Sequence, residues 1–257
     1  MRSSVGLFLV LLLFGGCSLF NEPGSELILN VDNEFEVDII EHLQPEGRDL
    51  RFAMSSINEV MCEESELVLQ TAKSSNAINI KINEIAVMDN CNSGMSYPYG
   101  EADFKLRNRD YQLSIQVKEL NSHFGMLNVS EEEYIITMED SKGLVLTRNN
   151  LQKIPNSFAW GYYQNTANGS SDLISSFLRE NNLVVRPLVH LKPGFYSYFS
   201  IDSEGNVIID DLPYSGSIEK IAFDNIDLTK VKDNLSTFKT QNPDLKFTMY
   251  FSDGTIL

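Results

Sequence analysis

Basic residues are scarce in this chain of 257 residues, which holds 20 Lys and Arg against 36 Asp and Glu for a net charge of −16. Phosphate neutralisation needs clustered cations, so the deficit excludes nucleic acid as the expected partner. Histidine is as sparse. His42, His123 and His190 stand singly, with no His-Glu-x-x-His and no pair at helical spacing, so a catalytic zinc centre is not expected. Cysteine is limited to Cys17, Cys62 and Cys91, and the latter two lack a close companion cysteine, which excludes a zinc ribbon. Gly-x-Ser-x-Gly and glycine-rich phosphate loops are missing as well, so no cofactor, metal or nucleotide is expected.

Several fragments imitate catalytic motifs without their context. Ser217-Ile218-Glu219-Lys220 matches Ser-x-x-Lys, but it sits at the start of a strand pattern and no Ser-Asp-Asn or Lys-Thr-Gly follows. Asp202-Ser203-Glu204-Gly205-Asn206 interleaves acids with an amide as a calcium loop does. Its glycine comes too early and the distal glutamate is missing, so it reads as a hairpin turn. Glu63-Glu64, Glu131-Glu132-Glu133 and Asp210-Asp211 supply acids that a glycosidase could pair, yet such runs read more simply as solvated faces and turns. No catalytic residue is assigned.

A hydrophobic run long enough to span a bilayer is also lacking in the leader. The apolar stretch from Val5 to Phe14 falls short of the roughly 20 residues that a spanning helix requires. It follows Arg2 and leads directly into Gly15-Gly16-Cys17. This arrangement resembles the signal peptide and lipobox of bacterial lipoproteins, with Phe14 and Gly15 keeping the size classes of the residues usual there. The resemblance covers residues 1–17. It implies cleavage after residue 16, lipidation of the Cys17 thiol and acylation of its amine, giving several acyl chains as the membrane anchor. Ser18 in place of Asp then implies the outer membrane. An ordinary secretory signal ending near a cysteine is the plainer alternative. In either case the chain is exported, so Cys62 and Cys91 are candidates for a disulfide, the alternative being two separate buried thiols.

Residues 17–25, with Pro23 and Gly24, read as a tether. From 26 to about 148 the period is two: Leu27/Leu29/Val31, Phe35/Val37/Ile39, Leu67/Leu69, Ile78/Ile80/Ile82, Ala102/Phe104/Leu106, Tyr111/Leu113/Ile115/Val117, Tyr134/Ile136/Met138 and Leu144/Leu146. Short strands without an amphipathic helix predict an all-β, immunoglobulin-like sandwich, although Trp160 lies outside it. Residues 155–257 change character. Phe158/Trp160/Tyr162 predicts a strand, and Leu173/Ile174/Phe177/Leu178 a helix begun near Ser170 or Ser171. Strands are expected over 194–201, 207–209 and 218–223, followed by a helix capped by Asp227 and stopped at Asn242-Pro243, then a strand through Leu245/Phe247/Met249/Phe251. The order is close to a ferredoxin-like α+β domain with two helices on one face of an antiparallel sheet.

Alternation in this second domain sends Phe195/Phe199/Ile201 and Phe247/Met249/Phe251 toward the helices, turning Tyr196, Tyr198 and Tyr250 to the opposite face. Tyr163 joins them if Trp160 faces the helices. Such a face can pack on the first domain, anchor a protein partner or stack on sugar rings. The expectation is a non-enzymatic, lipid-anchored envelope protein that binds or assembles with an envelope protein or glycan. The alternative is a glycan- or peptidoglycan-acting hydrolase using paired carboxylates.

Overall fold

The computed structural model describes residues 34–86, 92–118, 121–164, 170–210, 212–213 and 217–257. Cys17, the Leu27/Leu29/Val31 strand pattern and Cys91 lie outside them. The chain runs through β1 (Phe35–Gln44), β2 (Gly47–Ser56), β3 (Val60–Met61), β4 (Glu66–Lys73), β5 (Ala77–Ala86), β6 (Met95–Ser96) and β7 (Tyr99–Phe104). It continues through β8 (Arg109–Val117), β9 (Asn121–Val129), β10 (Glu133–Met138), β11 (Leu144–Leu146) and β12 (Asn150–Gln152). The remaining elements are β13 (Ala159–Gln164), α1 (Ser170–Glu180), β14 (Gly194–Phe195), β15 (Ser200–Ile201), β16 (Val207–Ile208), β17 (Ile218–Phe223), α2 (Leu228–Gln241) and β18 (Phe247–Phe251).

Period-two alternation becomes burial on one face. Phe35, Val37 and Ile39 of β1, Ile78, Ile80 and Ile82 of β5, and Tyr111, Leu113, Ile115 and Val117 of β8 all turn into one apolar core. Each large side chain so removed from water contributes about 1.5–3 kcal/mol. Instead of two stacked sheets, ten strands form one curled, mixed sheet in the order β11-β1-β2-β7-β4-β5-β8-β9-β10-β12. Most neighbours are antiparallel, while β1–β11, β4–β7 and β5–β8 are parallel. Three strands complete this ladder that the sequence pattern does not single out: β2, hairpin partner of β1; β9, which runs from Val117↔Asn121 to Arg109↔Val129 against β8; and the short β12, antiparallel to β10. Alternation requires only one dry face, a condition that a curled sheet and a sandwich meet equally.

The later elements follow the sequence reading more closely. β13 is the centre of a three-stranded antiparallel sheet, order β17-β13-β18. α1 and α2 cover one of its faces through Ile174, Phe177, Leu178, Val231 and Leu235, packed on Phe247, Met249 and Phe251. Asp227 caps α2 by accepting the Lys230 amide at 3.1 Å. The other face meets a small β14-β15-β16 sheet across Trp160, Tyr162, Tyr196, Phe199 and Ile201. Residues 32–257 cluster as one compact unit.

Gly161 lies where β13 passes between its two neighbours, and a Cβ there would sit 2.1 Å from the Thr248 carbonyl oxygen. Backbone cannot yield as a side chain can. Gly161→Ala is therefore expected to lower stability by about 1–3 kcal/mol in urea titration, the usual cost of overpacking. An unchanged midpoint would count against this packing.

Candidate functional site

The strand β1 carries its alternation past Ile39 to Glu41, so a carboxylate occupies the next inward position and is only 1% exposed. One oxygen accepts the Ile154 amide at 2.7 Å; the other meets the Tyr134 hydroxyl at 3.4 Å and the Arg48 guanidinium at 3.5 Å. Arg48, on the adjoining strand β2, also donates to the carbonyl oxygens of Ile154, Pro155 and Ser252. Lys153 lies 4.7 Å above the Tyr134 ring and donates to Asn108 Oδ1 at 3.0 Å and to the Ser130 carbonyl. Arg48, Tyr134, Lys153 and Ile154, but not Glu41 itself, line a cleft of about 640 Å³ whose rim includes Glu131, Glu132, His190, Lys192 and Tyr196.

Burial dominates the electrostatics. It pushes the Glu41 pKa above the ordinary carboxylate range, although Arg48, the Ile154 amide, Lys153 and Tyr134 all pull it down. The Tyr134 hydroxyl is raised by burial first and by the Glu41 charge second. Lys153 is lowered by its burial, with Glu41 opposing. Perturbed groups beside a cleft can mark acid–base chemistry, but here both Glu41 oxygens are engaged and the side chain is sealed inside. Its contact with the Ile154 amide and the bonds of Arg48 to Ile154, Pro155 and Ser252 together tie the β1–β2 hairpin to the 152–156 segment and to the turn after β18.

The tyrosines singled out from the sequence divide between two faces. Tyr196 (3% exposed), Tyr198 and Tyr250 turn away from the helices, as alternation implies for them. Trp160 lies on that same face, stacked between Tyr250 at 5.6 Å and Tyr198 at 5.7 Å. Tyr163 is therefore on the helix side, edge-on to Phe247 at 6.3 Å. Phe199 and Ile201 do not face the helices, and Phe195 packs on the large core beneath the Arg148 guanidinium. The cause is a tight turn at 196–198, with Ser197 at φ 66° and the Tyr198 amide bonded to the Tyr196 carbonyl. It interrupts what the sequence presents as one strand.

That turn docks on β1. The Glu41 amide donates to Ser197 Oγ at 2.7 Å and the Leu43 amide reaches the Tyr198 hydroxyl oxygen at 3.5 Å. Burial is the leading cause that raises the pKa of Tyr134, Tyr163, Tyr196 and Tyr198, that of Tyr196 to about 12. Cys62 is fully buried.

A second feature gave no signal in the motif search. On the two-stranded β3–β6 ladder Met61 stands directly opposite Met95, and both point to solvent. The row continues along the chain through Tyr97 and Tyr99, while the intervening Ser96 hydroxyl bonds to the Cys62 carbonyl and Pro98 is buried. The alternation Met95/Tyr97/Tyr99 is visible in the sequence, but here period two marks the wet side.

The raised Glu41 pKa fixes the sign of a pH effect. The folded chain keeps this proton where the unfolded chain has lost it, so the contribution to folding is present at low pH and is lost as pH rises through the raised value. Relative to Glu41→Gln, the wild type should lose stability as pH rises above the ordinary glutamate range of about 4, measured by denaturant titration at each pH. A flat difference would overturn the assignment. Arg48→Met, which leaves the carboxylate buried without its cation, should cost about 3–5 kcal/mol in the same assay at neutral pH. Comparison with protein-family models, with curated proteins and with solved structures finds no match.

Proposed function

We propose that this chain is a lipid-anchored protein of the outer membrane with a binding or assembly role, not an enzyme. The leader ending at Cys17 supports the anchor, and the acidic composition supports a body held at the membrane by acyl chains, since it would be repelled by anionic lipid. The observation that carries the binding role is the row of exposed Met61, Met95, Tyr97 and Tyr99, because methionine and tyrosine are enriched in interfaces and costly to leave in water. On this reading the partner is another envelope protein. The face bearing Tyr196, Tyr198 and Tyr250 serves instead as an internal joint.

In the same reading Cys62 pairs with Cys91, closing the segment that supports this row. The sheet order β17-β13-β18 with two helices on one side corresponds to strands three, one and four of a ferredoxin-like arrangement. A hydrolase reading draws on the rim acids Glu131 and Glu132 beside the cleft. It predicts peptidoglycan cleavage that Glu131→Gln with Glu132→Gln abolishes.

Two experiments test the main reading. Cys17→Ser should move the protein from the detergent-soluble membrane fraction to the soluble fraction, and mass spectrometry of the native chain should find acyl groups on Cys17. An unmodified Cys17 overturns the anchor. Cys62→Ser should lower stability by about 3–4 kcal/mol on the chain-entropy view of a closed loop, with no further effect from a reductant.

A further inference from the structure

The exposed row on the β3–β6 ladder lies in a part of the chain that has no positive charge of its own. Residues 52–72 and 82–104 contain eight acids and not one Lys, Arg or His. Glu59, Glu63, Glu64 and Glu66 flank Met61 in sequence and are exposed or adjoin exposed positions, while Glu101 follows Tyr99 on β7. Arg51, on the strand β2 that pairs with β7, is already engaged. It makes a two-pronged contact with Asp103 at 2.8 Å and 2.8 Å and meets Glu101 at 2.6 Å.

Met61 is 79% exposed and Tyr97 57%, so the apolar atoms of the row face water beside the exposed carboxylates of Glu59, Glu63, Glu64 and Glu66. Burying them against an acidic or neutral partner would leave those carboxylates to be desolvated without counter-charge. A cationic partner relieves that cost, and its Lys or Arg heads gain further from the faces of Tyr97 and Tyr99.

We propose that this surface docks a protein segment in which Lys or Arg alternates with aliphatic residues. The proposal deepens the binding role given above and rests on it. The aliphatic side chains cover Met61, Met95 and the two tyrosines, and the cations reach Glu59, Glu63, Glu64 and Glu66 at the rim. Methionine adapts its shape to such a segment without demanding one sequence.

The test uses the full-length chain in detergent and a synthetic peptide of alternating lysine and leucine. Two control peptides have alternating lysine and serine, or alternating glutamate and leucine. Peptide binding should protect Met61 and Met95 from oxidation by peroxide, leaving the exposed Met126 of β9 as reactive as before. The substitutions Met61→Ser with Tyr97→Ser should weaken binding about tenfold, as expected for loss of an interface anchor. Glu63→Gln with Glu64→Gln should weaken it and flatten its salt dependence, whereas Glu131→Gln with Glu132→Gln, at the distant cleft, should not. Because all these side chains are at the surface, an unchanged melting temperature verifies each variant.

Equal affinity for the lysine–serine peptide, equal protection of Met126, or equal loss from the Glu131/Glu132 pair would overturn the proposal in favour of unspecific charge attraction. The anchored chain is also cross-linked in native envelopes, where links to another protein formed only at other surfaces would overturn the proposal while leaving the assembly role intact. Loss of all cross-links would instead remove the role itself.

Discussion

The contact between Glu41 and Arg48 is the constraint around which the rest is arranged. A carboxylate sealed inside an apolar sheet costs several kcal/mol when unpaired, as much as two or three large core side chains contribute. Arg48 offsets that cost and at the same time binds the carbonyls of Ile154, Pro155 and Ser252. The charge therefore specifies geometry more than it adds stability. Only one placement of the 152–156 segment satisfies the Glu41 oxygens, the Arg48 fork and the Ile154 amide together, and that placement sets where β13 begins.

Around this joint the aromatic residues form a continuous packed seam. Tyr196 stacks on Phe199 at 5.2 Å, Phe199 on Phe158 at 5.4 Å, and Trp160 is flanked by Tyr198 and Tyr250. Such pairs add about 0.5–1.5 kcal/mol each beyond their buried area. They occupy the face of the β17-β13-β18 sheet that the helices leave uncovered, so each face of that sheet is dry for a different reason.

Much of this was legible in the sequence, and the failures have physical causes. Helix α2 was readable because Asp227 and Asn242 punctuate apolar steps of three and four. β5 and β8 were readable because every second residue is aliphatic. β2 carries the same period in Leu50, Phe52 and Met54, but Arg48 at an inward position and the apolar Ala53 on the other face blur it. β9 escaped notice because Gly125 and His123 stand where aliphatic residues would mark a strand. The same alternation that located β1 also pointed at Glu41, but a glutamate at an inward position reads as the end of a strand. Its burial becomes intelligible only once Arg48, the second residue of β2, is brought beside it by the hairpin.

The 196–198 turn has a consequence for the fate of incomplete chains. β11 pairs with only the first residues of β1, and beyond Val37 the amides of Glu41 and Leu43 are taken up by Ser197 and Tyr198. Until the ribosome has delivered those residues, that stretch of β1 is a bare template that another nascent chain could extend. Late synthesis of its cover makes the last quarter of the molecule a guard against strand exchange between copies, a duty independent of any ligand.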